Sequence, residues 1–475
     1  MAIIEYIGYP KDHWKFNRYV WSLIIFWLLL PVIIKFISYL SYLKYKRNKS
    51  KNKSEKELNG VTLIVLGDLN HSPRMKYHTE SFLSLGYEVN ICGYLNGELK
   101  LKNDKNREIE IFPIEIISNE FKLPYLLFII FKIFKQTYQL IKMTNFAIDE
   151  NTKFVFIQNP PSLPILAIVL MNKLMYHPQI KICVDWHNLN WSILNLKYKN
   201  ESHFVVKLMK KYESWFAKLV DVNITVTRQL GNYLVESFKV DPSTIIPFYD
   251  RPKNELFSPL NDQNELKEII SENLNLFNGY DQVNDRILVS STSFTPDEDF
   301  KVLINSLKEL DGKISGSKNK IWMIVTGKGP LQNEFKKMVE DYNWTNVEIK
   351  NVWLPIEQYP KVLKIADLGI SLHYSSSGLD LPMKIVDLFG SGVPALTLNF
   401  SVISELVKNN QNGLIMNDND DFKEMADKIY NVLFHDKELY LKIKQGALAE
   451  SAKGWDEEWD SKLKPLFKLS EWCVT

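Results

Sequence analysis

The chain has 475 residues, of which 45% are hydrophobic and 24% are charged, and this composition indicates a globular protein with more than one domain. Its 58 lysines and arginines nearly balance 56 aspartates and glutamates, so the charge gives no indication of a nucleic-acid partner. The three cysteines include no Cys-x-x-Cys pair and support neither a disulfide framework nor a zinc site; Cys92 and Cys183 lie in apolar stretches that predict buried thiols.

The first predicted element is a membrane-spanning helix over residues 19–43. Lys35 is the only charged residue in this stretch, which is long enough to cross a bilayer core of about 30 Å. A cleaved signal peptide and a buried core helix are the alternatives. The apolar stretch is long for a signal peptide, however, and no small-residue cleavage site follows it.

The charges on either side of this segment predict its orientation. Residues 44–59 form a lysine-rich linker, whereas residues 1–18 contain few basic residues, so the linker side is expected to be cytosolic. Residues 1–18 are then a short lumenal N-terminus. The body of this single-pass protein faces the cytosol.

Residues 60–250 are predicted to form an α/β domain with a parallel sheet. Short, continuously apolar runs alternate with helical patterns, as expected for parallel strands that helices cover on both faces. The predicted strands are 61–66, 87–92, 110–114, 153–157, 180–184 and 222–226. Between them, the apolar stretch 123–134 predicts either a buried helix or a helix lying on a membrane surface.

A polar linker over 251–285 is predicted to lead to a second α/β domain over 286–475. Its predicted strands are 286–290, 322–325, 347–349, 368–372 and 395–398, and its C-terminal helix could cross back to the first domain. Two such domains place ligands in the cleft between them, where the loops beyond the carboxyl ends of the strands meet.

Polar side chains follow two predicted strands of the first domain. Asp68 is the first carboxylate after the first strand, and Arg74 and His78 share one face of the helix that follows. Asp185 and His187 end the fifth strand, beside tryptophans of a kind that stack on sugar rings. His187 could act as a base or donate a hydrogen bond to a sugar, or it could be a structural histidine.

Three loops of the second domain suit a phosphate-bearing ligand. Ser291, Thr292 and Ser293 follow one strand, and the acids at 297–299 after Pro296 are predicted to open a helix. Lys328 lies between two glycines after the next strand, in a loop that lacks the Walker pattern. The stretch 375–394 places Ser377 and Gly378 before a helix that carries Lys384 and Asp387 on one face, which suits a nucleotide diphosphate and its ribose.

Seven segments in this order resemble one enzyme family. They are GDLNHSPRMKYH, VDWHN, VTRQL, FYDRP, VSSTSFTPDEDF, VTGKGPL and SSSGLDLPMKIVDLFGSGVP. The family is that of the chitobiosyldiphosphodolichol β-mannosyltransferases, the endoplasmic-reticulum β-1,4-mannosyltransferases of N-glycan assembly. The resemblance extends over residues 61–414 and the N-terminal anchor.

The resemblance implies a GT-B fold, with two Rossmann-like domains facing across a cleft, and mannose transfer from GDP-mannose to the dolichol-linked diphosphate of chitobiose. The expected setting is the cytosolic face of the endoplasmic-reticulum membrane, with other glycosyltransferases of the pathway as further partners. No cofactor and no tightly bound metal are expected.

The resemblance also implies roles for the polar residues described above. The base is expected from the first domain, with Asp68 and His187 ranked above Asp185, and Arg74, His78 and Trp186 are expected to bind the acceptor. The donor would lie on the second domain, where Asp387 occupies the place of the ribose-binding acid. The expected donor-binding residues are Ser291, Thr292, Ser293, Lys328, Ser377, Gly378, Lys384 and Asp387.

Other functions are compatible with the same features. The chain could be a membrane-anchored GT-B glycosyltransferase with a different donor or lipid acceptor. It could also be a non-catalytic glycosyltransferase-like subunit or a sugar-binding membrane receptor, although polar residues in every loop favour an enzyme.

Overall fold

The computed structural model describes residues 58–468 except 98, 100, 104–106, 121, 123, 296 and 297, together with five helical positions in the N-terminal segment: Ser22, Phe26, Trp27, Leu30 and Ile33. Apart from these five positions, the predicted span at 19–43 lies outside the described residues. Within the described part of the chain, no helix combines the length and apolar character needed to cross a membrane.

The first domain is built on a seven-stranded sheet in which every pair of neighbouring strands is parallel. In chain order the strands are Gly60–Asp68 (β1), Glu88–Tyr94 (β2), Ile109–Pro113 (β3), Thr152–Asn159 (β4), Lys181–Trp186 (β5), Val222–Thr225 (β6) and Ile245–Pro247 (β7). Their order across the sheet is β3-β2-β1-β4-β5-β6-β7. Six of the strands were predicted from apolar runs, and the three-residue edge strand β7 was not.

Helices connect these strands and cover the sheet. They are Pro73–Leu85 (α1), Tyr125–Ala147 (α2), Ile165–Met175 (α3), Asn190–Tyr198 (α4), Phe204–Ala217 (α5) and Arg228–Phe238 (α6). Helix α1 begins at Pro73, which suits a first helical turn because the N–H that proline lacks would have no partner there. It ends before Gly86, whose φ of 96° lies in the left-handed region that favours glycine.

The second domain has a six-stranded parallel sheet in the order β10-β9-β8-β11-β12-β13. The strands are Arg286–Ser291 (β8), Ile321–Thr326 (β9), Val347–Val352 (β10), Leu368–Ser371 (β11), Ala395–Thr397 (β12) and Gly413–Ile415 (β13). The helices that follow β8, β9, β10 and β11 in turn are Phe300–Lys313, Gln332–Glu340, Tyr359–Lys364 and Met383–Gly390, and β13 is followed by Phe422–Tyr430 and Lys437–Ser451. Two parallel α/β domains confirm the α/β part of the predicted fold class, and its N-terminal membrane helix stays a prediction.

The segment predicted as a linker contains two helices, Gln263–Glu272 and Leu274–Phe277. Leu266, Ile269, Leu276 and Phe277 are buried in one core cluster with Ile287 and Val289 of β8. These helices therefore belong to the second domain, and the prediction of a loosely patterned linker is wrong for them.

The last two described helices, Trp455–Lys462 and Lys464–Phe467, return to the first domain. Four of their side chains, Trp455, Trp459, Leu463 and Phe467, are buried in one cluster with strand β1 and helix α1. The hydroxyl of Tyr87 also donates a 2.7 Å hydrogen bond to the carbonyl of Phe467. The C-terminus thus completes the first domain's core.

Helix α2 contradicts the buried-helix alternative for its N-terminal half. Its C-terminal half packs on the sheet through Leu140 and Ile141, whereas Leu127, Ile130 and Phe131 are exposed. Leu127 keeps 55% of its surface accessible. These three exposed apolar residues belong to the N-terminal half of α2, a helix of 23 residues, and lie outside the buried core.

Candidate active site

The strand order places a ligand crevice at the same edge of each sheet. In the first sheet the order reverses between β1 and β4, and in the second it reverses between β8 and β11. Ligands of doubly wound domains bind beyond the carboxyl ends of the strands at such a reversal. Every candidate loop identified in the sequence lies at one of these edges.

A buried ion cluster lies behind this edge of the first sheet. The guanidinium of Arg74 in α1 donates from Nε and Nη2 to the two carboxylate oxygens of Asp185, at 2.7 and 2.8 Å. Its Nη1 donates to Asp250 at 2.8 Å, and Nη2 also reaches the carbonyl of Phe248 at 3.2 Å. One guanidinium therefore joins a helix, a strand and the segment that leaves the first domain.

The cluster keeps its charges although it is buried. Burial alone would raise the pKa of Asp185, but the charge of Arg74 and the surrounding hydrogen bonds hold it well below its usual value. Burial would likewise lower the pKa of Arg74, and the two carboxylates raise it instead. Arg74 and Asp185 form a fixed ion pair, and neither side chain is exposed to an acceptor as the sequence analysis expected.

His78 lies beside this ion pair and is also fully buried. Its Nδ1 accepts a 3.1 Å hydrogen bond from the indole N–H of Trp459, and its Nε2 is 3.6 Å from Asp185 Oδ2. Desolvation lowers the pKa of His78 to about 4, so the imidazole is neutral at pH 7. His78 was predicted to contact an acceptor, but because it is buried it contacts other residues of the ion cluster instead.

His187 is the member of this group that reaches the surface of the crevice. Its Nε2 is 3.3 Å from Asp185 Oδ2, and 20% of its side chain is accessible, compared with none of Asp185. A carboxylate behind an imidazole fixes the ring and stabilises the imidazolium that forms when the ring takes a proton. The geometry therefore favours His187 as a base and Asp185 as its support.

Asp68 and Trp186, the other two residues predicted to act from the first domain, lie in different surroundings. Asp68 ends β1, two strands away from Asp185, and its carboxylate accepts from Asn70 N at 3.1 Å and Asn96 Nδ2 at 2.8 Å. Trp186 is fully buried, with its indole N–H on Asn223 Oδ1 at 2.8 Å. Its ring is covered by the core, so it has no face free for a sugar.

On the second domain, Lys384 is held by a carboxylate that the sequence analysis assigned to a helix. Glu298 forms an ion pair with Lys384 and accepts hydrogen bonds from the hydroxyl of Thr292 and from the backbone N–H of Ser293, the latter at 3.1 Å. The helix begins only at Phe300, with Asp299 as its cap. The prediction that these acids occupy its first turn is therefore wrong for Glu298 and Asp299, and position 297 lies outside the described residues.

Two glycines allow the neighbouring loops to touch. A Cβ atom at Gly327 would lie 1.8 Å from the carbonyl oxygen of Thr292, and one at Gly329 would lie 1.8 Å from that of Ser293. Between them, the ammonium of Lys328 lies 4.2 Å from the ring centroid of the exposed Trp353. The Ser/Thr loop and the loop with Lys328 thus form one continuous surface.

Asp387 lies at the end of a short hydrogen-bonded chain. The hydroxyl of Tyr359 donates to Asp387 Oδ2 at 3.1 Å and contacts Ser291 Oγ at 2.9 Å. Desolvation raises the pKa of Asp387 to about 7, and the negative charge of Asp250 acts in the same direction. Asp387 therefore changes its charge near neutral pH.

The serine-rich loop before the helix Met383–Gly390 faces the first domain. Gly378 has a φ of 70°, in the left-handed region, and the Ser377 hydroxyl accepts a 3.1 Å hydrogen bond from Leu379 N. Asn188, the neighbour of His187, donates to Asp380 Oδ1 at 2.9 Å and to Ser376 Oγ at 3.2 Å. Thr227 also donates a 2.8 Å hydrogen bond to the carbonyl of Leu379. These contacts bring the two sides of the crevice together.

The structure adds residues that sequence analysis missed. Asp250 and Glu298 belong to segments that were singled out, yet nothing in their spacing indicated partners more than 80 positions away. Tyr359 and Trp459 had no sequence signal at all. Within the part of the chain that the structure describes, no group of three or more histidine, cysteine, aspartate or glutamate side chains is arranged to hold a metal ion.

Comparisons with known sequences agree with the resemblance stated above. Residues 277–449 match the family described as Glycosyl transferases group 1. A chitobiosyldiphosphodolichol beta-mannosyltransferase of Candida albicans is 43% identical over 470 residues, covering 98% of this chain and 99% of that protein. The protein of the same name from Mus musculus is 31% identical and covers 86% of this chain and 89% of its own length.

Solved structures with low sequence identity share the fold. A sucrose-phosphate synthase from Thermosynechococcus elongatus is 12% identical with a TM-score of 0.64, covering 86% of this chain and 98% of its own. Anabaena Alr3699/HepE, solved in complex with UDP and glucose, is also 12% identical, with a TM-score of 0.60 and coverages of 86% and 99%. The architecture is that of the GT-B glycosyltransferases.

The ion cluster leads to a prediction about stability. Arg74→Met is expected to lower the free energy of unfolding by about 3–5 kcal/mol at pH 7, because two buried carboxylates lose their counter-charge. In the wild type the depressed pKa of Asp185 contributes stability above about pH 4, the unfolded value, and this contribution is lost as pH falls through the folded pKa. In the variant, protonation relieves the unpaired carboxylates, so the deficit should shrink as pH falls from 7 towards 4.

Urea unfolding of both proteins at several pH values measures this effect. Lys102→Met is the control, since it removes an exposed pair with Glu255 and should change stability by about 1 kcal/mol or less. Equal effects of the two substitutions, or a deficit that grows on acidification, would contradict the role given to Arg74.

Proposed function

Because the chain belongs to the chitobiosyldiphosphodolichol β-mannosyltransferase family, we propose that it transfers mannose from GDP-mannose to the 4-hydroxyl of the terminal N-acetylglucosamine of a dolichol-linked chitobiosyl diphosphate. The product carries the first β-1,4-linked mannose of the N-glycan precursor. The family membership supports the mannosyl transfer and the lipid acceptor. The donor nucleotide, the residue roles and the cellular location are parts of the proposal.

One observation carries the assignment of roles to the two domains. Asn188, which follows His187, donates hydrogen bonds to Ser376 and Asp380 in the serine-rich loop of the second domain. The candidate base and the candidate diphosphate loop are thus joined by one side chain. An acceptor hydroxyl at His187 would lie next to a donor held by that loop, which is the arrangement that direct transfer needs.

The proposed reaction inverts the anomeric configuration in a single displacement. The acceptor 4-hydroxyl attacks the anomeric carbon of α-linked mannose, the bond from that carbon to the diphosphate oxygen breaks, and GDP leaves. His187 takes the hydroxyl proton, and the carboxylate of Asp185 at 3.3 Å stabilises the imidazolium. We place His187 ahead of Asp68, because Asp68 already accepts hydrogen bonds from Asn70 and Asn96.

The leaving diphosphate requires positive charge and N–H donors on the second domain. Lys384 supplies the charge. Glu298 holds the Lys384 ammonium at the Ser/Thr loop, and a bound diphosphate would compete with Glu298 for that ammonium. Lys328 and the backbone around Ser377 and Gly378 supply further contacts. Asp387, beside Tyr359, would accept hydrogen bonds from the ribose hydroxyls.

We further propose that the enzyme acts at the cytosolic face of the endoplasmic-reticulum membrane, anchored by residues 19–43. The indole of Trp27 donates a 3.0 Å hydrogen bond to Thr137 of α2, and Phe26 lies 5.9 Å from Phe134, ring to ring. The N-terminal segment therefore approaches α2, whose exposed half presents Leu127, Ile130 and Phe131. An anchor on this side would keep the crevice near a lipid-borne acceptor.

The central test of the proposal uses two substitutions, one in each domain. His187→Ala should lower kcat by about 10²–10⁴-fold, the usual contribution of a general base. Lys384→Ala should lower kcat by an amount equivalent to about 2–4 kcal/mol, as when one donor to a developing anion is lost. Turnover is measured with GDP-mannose and a chitobiosyl-diphosphate lipid, and glycosidase digestion reads the anomeric configuration.

Lys361→Ala serves as the matched control for charge, because Lys361 forms an exposed pair with Glu272 on the same domain. It should retain the wild-type rate. Rates close to wild type for both His187→Ala and Lys384→Ala would remove these residues from their roles, and an α-linked product would exclude the single displacement.

Asp387 leads to a prediction about pH. Its pKa of about 7 means that the carboxylate, the form that accepts ribose hydrogen bonds, prevails above pH 7 and is lost below it. The KM for GDP-mannose should therefore rise as pH falls from 8 to 6, by up to about tenfold per unit below the pKa. Asp387→Asn should have a KM that does not respond to pH in this range, and an unchanged pH response in that variant would contradict the assignment.

The anchor is tested by removing it. A chain lacking residues 1–43 should lose more activity on acceptors with a long dolichol chain, presented in vesicles, than on short-chain acceptors in solution, because only the former are confined to a bilayer. Comparison of kcat/KM for the two acceptors in both proteins gives the answer. Equal losses on both acceptors would show that the segment does not act as a membrane tether.

A further inference from the structure

The C-terminal helix Trp455–Lys462 contributes one polar contact to the ion cluster. Trp459 is fully buried, and its indole N–H donates to His78 Nδ1 at 3.1 Å. His78 in turn lies 3.6 Å from Asp185 through its other nitrogen. Trp459, more than 270 positions away in sequence, is thereby linked to His187 by three successive contacts, through His78 and Asp185.

The indole contact fixes the tautomer of His78. An indole N–H can only donate, so His78 Nδ1 must present its lone pair, and the proton of the neutral ring must be on Nε2. This places an N–H group, rather than a lone pair, opposite the carboxylate of Asp185. At 3.6 Å the contact is longer than a hydrogen bond, but the N–H dipole still favours the negative charge. The opposite tautomer would set a lone pair against that charge.

Three groups converge on the same oxygen of Asp185. Oδ2 accepts from Arg74 Nε at 2.7 Å and lies 3.3 Å from His187 Nε2 and 3.6 Å from His78 Nε2. Arg74 brings one positive charge, whereas Asp185 and Asp250 bring two negative charges, so the cluster has a net charge of −1. Protonation of His187 during transfer would neutralise it. Asp185 Oδ2 is therefore the negatively charged atom that faces the imidazolium formed at His187 during transfer.

We propose that Trp459 is a positioning residue for His187. Its indole holds His78 in one tautomer, and that tautomer keeps Asp185 Oδ2 next to His187. The proposal rests on the role given to His187 in the proposed function. It assigns to the C-terminal helix a part in the reaction beyond its packing in the first domain's core.

Trp459→Phe separates these two contributions. Phenylalanine keeps an aromatic ring against Phe82 and Phe467, which surround Trp459, but has no N–H to fix His78. Trp455→Phe is the matched control. It makes the same change one turn earlier, where the indole N–H donates to Ser81 at 3.1 Å instead of to His78.

Steady-state kinetics of the full-length proteins, over a range of pH, test the proposal. Trp459→Phe should lower kcat about tenfold, the effect of losing one hydrogen bond beside a charged group, while KM for GDP-mannose stays unchanged. The acid limb of the kcat profile should move to lower pH, because His187 faces a less well-placed anion. The groups that set this limb are Asp185, Arg74 and His78, with Asp250 behind them. Trp455→Phe should keep the wild-type profile.

A second measurement does not depend on turnover. Nitrogen NMR of protein labelled with [15N]histidine should show His78 with an unprotonated Nδ1 and a protonated Nε2 in the wild type, and a mixture of tautomers in Trp459→Phe. The same tautomer in both proteins, or an unshifted acid limb in Trp459→Phe, would overturn the proposal. A wild-type enzyme that shows the predicted tautomer but no mannosyl transfer would overturn the proposed function instead.

Substitutions at His78 cover the case in which Trp459→Phe does not fold. Glutamine can accept from Trp459 and donate to Asp185, whereas phenylalanine can do neither. His78→Gln should therefore retain more of the wild-type kcat and acid limb than His78→Phe. Equal kcat and equal pH profiles in these two variants would also overturn the proposal.

Discussion

The buried guanidinium of Arg74 is the constraint on which the rest of the first domain depends. A charge removed from water must be paired, and Arg74 is paired with Asp185 on β5 and with Asp250 on the segment that leaves the sheet. Because guanidinium donors lie in one plane, the two carboxylates must approach in fixed directions. Helix α1, strand β5 and the segment that leaves the domain are therefore held in one arrangement. This arrangement also fixes the position of His187, which follows β5.

The second domain is fixed to this arrangement by hydrogen bonds across the crevice and by the return of the chain. Glu405 accepts from the backbone N–H groups of Arg228 and Gln229, at 2.9 and 3.0 Å, at the start of α6 in the first domain. A carboxylate at a helix N-terminus is favoured by the unpaired N–H groups and the helix dipole. Together with the Trp455–Lys462 helix, this contact holds the candidate donor loops opposite the candidate base.

Much of the fold follows from local patterns, and the exceptions have physical reasons. Strands β1 to β6 were predicted because buried parallel strands are continuously apolar, whereas the three-residue strands β7 and β13 were not predicted, although the equally short β12 was. The helices at 263–277 were missed because a surface helix needs only a few apolar residues, here Leu266 and Ile269, to pack. The exposed half of α2 could not be told from a buried helix by hydropathy alone.

The sequence by itself determined the class of fold and the family, and it indicated the loops with the candidate site residues, because these depend on residue type and spacing along the chain. Only the tertiary structure decided which polar residues are free to act. Arg74, His78 and Asp185 look like surface groups in sequence and are buried partners of one another, whereas His187 reaches the crevice. Whether a polar group contacts a ligand or a counter-charge depends on residues that are hundreds of positions away, such as Trp459. The local sequence pattern does not indicate such partners.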